Sequence, residues 1–178
     1  ETSKHKTPNP ITEEVIWEND GTYGDPGWQS TYTFSLEGHQ TDNTLVTFPQ
    51  EIWDKIKTET FYLDFEPSAR DDAILYICNG NWGYQWPRVG ADITFANPQG
   101  TTLTDHGDGT YDIELNFVGC DIINQDFDSA GLLFTGTGYT PLRLYFKTGH
   151  ACDLELVKGK NPTLLRPGYK NYYVCKVG

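Results

Sequence analysis

Hydrophobic and polar positions alternate with a period of two along much of this chain, the pattern of strands with one buried face. Tyr32, Phe34 and Leu36 alternate with Thr33, Ser35 and Glu37; Phe61, Leu63 and Phe65 alternate with Tyr62, Asp64 and Glu66. The cleanest run sets Tyr111, Ile113, Leu115 and Phe117 against Asp112, Glu114 and Asn116, and a further one sets Leu142, Leu144 and Phe146 against Arg143, Tyr145 and Lys147. Val15-Ile16-Trp17, Ile93 with Phe95, and Leu132-Leu133-Phe134 add shorter pieces. Residues 73–78 are apolar on both parities, which predicts a central strand. Turn chemistry separates these runs: Asp105-His106-Gly107-Asp108-Gly109 is a hairpin signal, as is Gly136-Thr137-Gly138.

Helical periodicity is scarce. Thr47 followed by Pro49 and Gln50 predicts a capped helix start, with Ile52, Trp53 and Ile56 as its buried face. Residues 120–130 allow one more helical turn, closed by Gly131. Eight or more short strands with so little helix define an all-β protein, a two-sheet antiparallel β-sandwich of jelly-roll type with one or two short helical turns. Residues 1–11 read as a linker or tail, residues 12–147 as the sandwich, and residues 148–178 as a C-terminal extension that adds an edge strand or hairpin.

Composition narrows the partners. The 178 residues carry 25 acidic against 13 basic side chains, a net charge of -12, so nucleic acid and anionic membrane are expected to be repelled. Apolar runs are too short to make a membrane helix. A start at Glu1 and the absence of methionine suggest excision from a longer precursor, with a secreted or cell-surface location. Cys78, Cys120, Cys152 and Cys175 are too far apart for zinc or redox motifs, which need close pairs. A Cys152–Cys175 bridge is the preferred pairing of three, and Cys78 and Cys120, both in apolar runs, stay open between a bridge and free packed thiols.

The most informative stretch is Asn79-Gly80-Asn81-Trp82-Gly83-Tyr84-Gln85-Trp86-Pro87-Arg88. Where it is extended, Trp82, Tyr84 and Trp86 share one face. Such a row is either buried or offered to a ligand. Three rings from one glycine-broken segment would demand a thick core, and the flanking Asn81, Gln85 and Arg88 are residue types that favour the surface. An exposed aromatic row rimmed by amides and one guanidinium suits sugar rings, whose C–H faces meet the aromatics while their hydroxyls meet the polar rim. Tyr23 and Trp28, from the turn-rich loop over residues 19–27, are candidates to extend the strip, the alternative being that Trp28 plugs the end of the sandwich. Trp17 and Trp53 are expected in the core.

Catalytic chemistry finds less support. A glycosidase needs two carboxyl groups facing each other across the sugar. Asp112 and Glu114 are the best pair, yet as neighbours on one strand they stand side by side, and solvated carboxylates are the simpler interpretation. The jelly-roll glucanase pattern Glu-x-Asp-x-x-Glu is not met, since Thr110 and Leu115 occupy positions where it needs glutamates. His5, His39, His106 and His150 fall in the tail or in loops with no matching nucleophile. No cofactor is expected. Asp20, Asp25, Asp105 and Asp108 offer loop oxygens to a structural calcium, although none has the spacing of a dedicated calcium loop.

Val15-Ile16-Trp17-Glu18, Asp71-Asp72, and residues 131–140 (Gly-Leu-Leu-Phe-Thr-Gly-Thr-Gly-Tyr-Thr) together resemble non-catalytic β-sandwich carbohydrate-binding modules attached to bacterial plant-polysaccharide hydrolases. The resemblance covers roughly residues 12–147. It implies a monomeric module, joined to an endoglucanase, xylanase or mannanase domain in the same precursor, that binds a polysaccharide and has no enzymatic activity of its own. The aromatic stretch at Trp82 to Trp86 and the cysteine-bearing tail depart from the family pattern, and specificity resides in such loops.

Overall fold

The computed structural model describes residues 11–68, 73–82 and 102–149, together with the backbone of two strands near the C-terminus. Two compact units divide the chain. Val15–Phe146 forms one, and Glu1–Glu14 with Lys147–Gly178 forms the other.

The larger unit is a two-sheet β-sandwich. One sheet has the order β1-β9-β4-β7-β6, from strands Thr12–Glu18 (β1), Tyr139–Thr148 (β9), Phe61–Pro67 (β4), Tyr111–Leu115 (β7) and Leu103–Asp105 (β6). The other has the order β3-β2-β8-β5, from Thr44–Phe48 (β3), Tyr32–Leu36 (β2), Leu132–Thr137 (β8) and Ile74–Asn79 (β5). Alternation dictates what lies between them. Phe61, Leu63 and Phe65 pair in register with Leu115, Ile113 and Tyr111 on one side, and Phe34 pairs with Leu132 and Tyr32 with Phe134 on the other. Phe34 stacks on Phe48 at 5.7 Å and meets Trp17 and Phe134 edge-on at 5.3 and 5.6 Å, arrangements that satisfy the ring quadrupoles.

Among the described residues, three short helices complete this unit. Helix α1 (Gln50–Thr58) buries Trp53 and Ile56 completely, and Trp53 stacks on Phe127 with ring centroids 4.5 Å apart. Trp17 and Trp53 are therefore core residues, as their sequence context indicates. Helices α2 (Asp121–Asn124) and α3 (Phe127–Ala130) fall in the region where the sequence suggests one turn.

Three local expectations are corrected. Thr47 is not the cap of α1: it lies in β3, Pro49 is the residue before the helix, and no side chain caps it. Strand β3 satisfies its backbone by pairing parallel to β2, so this sheet is mixed rather than purely antiparallel. Strand β5, apolar on both parities, ends its sheet among the described residues instead of lying in the centre. Its inner face, Leu75 and Ile77, joins the core; its outer face carries Ile74, Tyr76 and Cys78, of which Cys78 is buried as a free thiol. The predicted strand at Ile93 and Phe95, and Asp71-Asp72, lie outside the described residues. In the smaller unit, Leu154–Val157 (β10) and Tyr172–Cys175 (β11) pair antiparallel, with Leu154 opposite Cys175. Cys152 lies outside the described residues.

Candidate functional site

Two loops bring an aromatic row to the outer face of β5. Pro26, Gly27, Trp28 and Gln29 form a tight turn closed by the Gln29 N–H donating to the Pro26 carbonyl at 2.9 Å. Both central residues are left-handed, Gly27 at φ 58° and Trp28 at φ 65°, the signature of a type I′ turn. Asp25 fastens this loop, one carboxylate oxygen accepting from the Gly27 N–H and the other from the Gly138 N–H, each at 2.9 Å. The Trp28 N–H donates to the Gly136 carbonyl at 2.7 Å, pinning the residue against β8.

At the end of β5 a second turn sets Trp82. Its N–H donates to the Asn79 carbonyl at 3.0 Å, and the Asn81 N–H donates to the Asn79 side-chain oxygen at 3.0 Å. Asn79 is fully buried, and its amide group donates to the Gln125 carbonyl at 2.9 Å, so α2 anchors the turn from below. Trp82 is also left-handed, at φ 62°. The stretch is thus turned, not extended, at Trp82.

Between the two tryptophans stands Tyr76. Its ring centroid lies 5.8 Å from that of Trp28, edge to face, and 6.5 Å from that of Trp82, with 29° between the planes. Trp28 is 51% exposed and Trp82 47%, while every other large aromatic among the described residues is at least half buried. A left-handed backbone costs a residue with a Cβ about 1–2 kcal/mol, so holding two indoles half in water at such positions is poorly explained by packing.

Of the sequence candidates, the structure brings Trp28 beside the start of β5, through Gly136, which pairs with Leu75, and Asn81 and Trp82 to its far end. Tyr84, Gln85, Trp86 and Arg88 lie outside the described residues. Tyr23 does not join the row. Its ring packs against Trp17 and Tyr32, at 6.3 and 5.5 Å, as part of the core boundary. Tyr76 is the residue sequence reasoning missed, hidden in a run that looks uniformly apolar. Its place on the odd-man parity of β5, with Ile74 and Cys78, was the available signal.

A second cluster occupies the outer face of the five-stranded sheet. Register places Asp64 of β4 opposite both Asp112 of β7 and Arg143 of β9. Arg143 pairs with Asp64 Oδ2 through its Nε and lies over the Tyr145 ring at 4.2 Å. The Tyr145 hydroxyl is within 2.9 Å of Asp64 Oδ1 and 3.2 Å of Asp112 Oδ2. His106, just beyond β6, brings Nε2 to 3.2 Å from Asp64 Oδ1 and 3.7 Å from Asp112 Oδ2. Burial first, then the two carboxylates, push the Tyr145 phenol far above its ordinary range, so it remains protonated. Asp112 is only 1% exposed, which corrects the expectation of a solvated carboxylate; Glu114 is half-buried and pairs across the strands with Tyr62. Asp112 and Glu114 stand on the same face of one strand and do not face each other across a cleft.

The other loop aspartates serve their own turns. Oδ1 of Asp20, Asp105 and Asp108 accepts the N–H of Thr22, Gly107 and Thr110 respectively, at 2.8 to 3.0 Å. Bonds from the side chain and backbone of Thr22 hold the Asp20 carboxyl below its ordinary value.

No family model, curated protein or solved structure matches the chain. By its sheet topology the protein is an all-β sandwich, and these two clusters carry its candidate chemistry.

Proposed function

We propose that the chain is a non-catalytic carbohydrate-binding module, in which Trp28, Tyr76 and Trp82 stack on the pyranose rings of a neutral β-linked polysaccharide of the β-glucan, xyloglucan or glucomannan type. The observation that carries this is the pair of half-exposed tryptophans, both in left-handed turns, flanking Tyr76 along β5, the edge strand of its sheet among the described residues. Tyr76 and Trp82, 6.5 Å apart with 29° between their planes, can meet neighbouring sugars of an extended chain, Trp28, inclined at 63° to Tyr76, would flank the chain from the side, and Asn81 stands at one end to bond hydroxyls. The net charge of -12 disfavours polyuronates, whereas a neutral glycan suffers no such repulsion.

A module of this kind works outside the cell, attached to a hydrolase that it holds at the substrate through effective concentration. Among the described residues no helix is long and apolar enough to cross a membrane. Affinity electrophoresis across glucans, mannans, xylans and pectin tests the proposal, followed by calorimetry with cellohexaose at low and high salt. Binding to neutral chains with little salt dependence is the expected result. Retention by pectin alone, or none on any glycan, would overturn it; release of reducing sugar would favour a hydrolase instead.

A further inference from the structure

Register forces a like-charge pair on the outer face of the five-stranded sheet, because Asp64 and Asp112 are direct cross-strand partners. Like charges directly opposite destabilise a sheet. Here they are also shielded from water, with Asp64 7% exposed and Asp112 1%. Asp64 Oδ1 and Asp112 Oδ2 both lie within hydrogen-bond distance of one Tyr145 hydroxyl, which has one proton to give. Arg143 is engaged with the other oxygen of Asp64, Oδ2. The place where two carboxylate oxygens converge is thus a place of concentrated negative potential, and it is here that His106 presents Nε2.

We propose that Asp64 Oδ1, Asp112 Oδ2 and His106 Nε2 form a binding site for one divalent transition-metal ion of the zinc class. The three groups can bring their ligand atoms within 4.8 Å of one another. A tetrahedron with metal–ligand bonds of about 2.1 Å has edges of about 3.4 Å. The two separations from His106, 3.2 and 3.7 Å, bracket that edge, and the two carboxylate oxygens, within 4.8 Å of each other, would close to about the same edge around the ion. One imidazole with two carboxylates suits zinc better than calcium or magnesium, which take oxygen ligands. Tyr145 would orient both carboxylates through its hydroxyl, and Arg143 would hold Asp64 from its far oxygen, as outer groups do at metal centres. His106 is exposed, on a hairpin fixed by its own N–H donating to the Thr110 carbonyl at 3.0 Å, which leaves a side open for water to complete the coordination. The site is distant in the fold from the aromatic row, on the opposite sheet, and does not depend on the glycan proposal.

The test is calorimetric titration of the whole chain with zinc after chelator treatment, repeated with calcium, and with cobalt followed by absorption. One equivalent of zinc should bind, calcium should not compete, and the cobalt spectrum should lack a thiolate charge-transfer band. His106→Ala, an exposed change that leaves the strands intact, and Asp112→Asn should each weaken zinc at least about tenfold, and Tyr145→Phe by about 10–100-fold. His39→Ala should change nothing. No binding by the native chain overturns the proposal, as does undiminished affinity in folded His106→Ala or a thiolate band, either of which would place zinc elsewhere.

Discussion

Replacing Trp28 by glycine and by alanine separates a ligand platform from a structural plug. The indole is 51% exposed, so its removal forfeits roughly half of a full aromatic burial, about 1–1.5 kcal/mol. The edge contact with Tyr76 at 5.8 Å adds about 0.5 kcal/mol. Alanine keeps the strained backbone at φ 65° and should destabilise by about 2 kcal/mol in total. Glycine relieves a strain of about 1–2 kcal/mol but loses about 0.5 kcal/mol through its freer unfolded chain, for a net cost of about 1 kcal/mol. The backbone bond from position 28 to Gly136 survives both changes. Glycine should therefore be the more stable variant by about 1 kcal/mol, or about 2–4 °C in Tm, the reverse of the order at an ordinary position. Both should abolish retention in glycan gels. Trp53→Ala provides the contrast: fully buried, it should cost about 3–5 kcal/mol. If alanine at position 28 equals or exceeds glycine in thermal melts, the strain argument fails. If either variant still binds glycan as the native chain does, the row is not the site.

Two further predictions concern stability. The Trp53 Nε1–H donates to Asp128 at 2.8 Å, and Lys57 pairs with the same oxygen at 3.0 Å; burial raises the Asp128 carboxyl, but the bonds from Lys57 and Trp53 outweigh it and hold the group below its ordinary value. Asp128→Ala should cost about 1–3 kcal/mol in urea unfolding by leaving the indole N–H without its acceptor. Burial pushes the Cys78 thiol up to about 12, so between pH 9 and 12 the unfolded chain loses this proton while the folded one keeps it. Stability should fall with rising pH across that window, less so in Cys78→Ala, and alkylation of Cys78 at pH 8 should require denaturant.

Much of this molecule follows from local pattern alone. A period of two in residues 61–66 and 111–117 determines which side chains face inward, because a pleated strand sends alternate residues to opposite faces. Trp53 is core by the helical counterpart of that rule, since it shares the buried face of α1 with Ile56, and Trp17 is buried in β1. Cap chemistry misled at Thr47, where a parallel pairing with β2 claimed the backbone that a helix start would have used. What pattern cannot supply is register. Whether Asp64 meets Asp112, Arg143 or nothing depends on how strands some 50 to 80 residues apart align, and His106 reaches them only because the β6–β7 hairpin folds it back onto that face. Likewise Trp28, Tyr76 and Trp82 are separated by 48 and 6 positions, and two left-handed turns, fixed by Asp25, Gly136 and Asn79, bring their rings into one row. The sequence by itself determined the sandwich; only tertiary structure decided which aromatics stand together, since side-chain proximity across strands is set by long-range pairing and not by spacing along the chain.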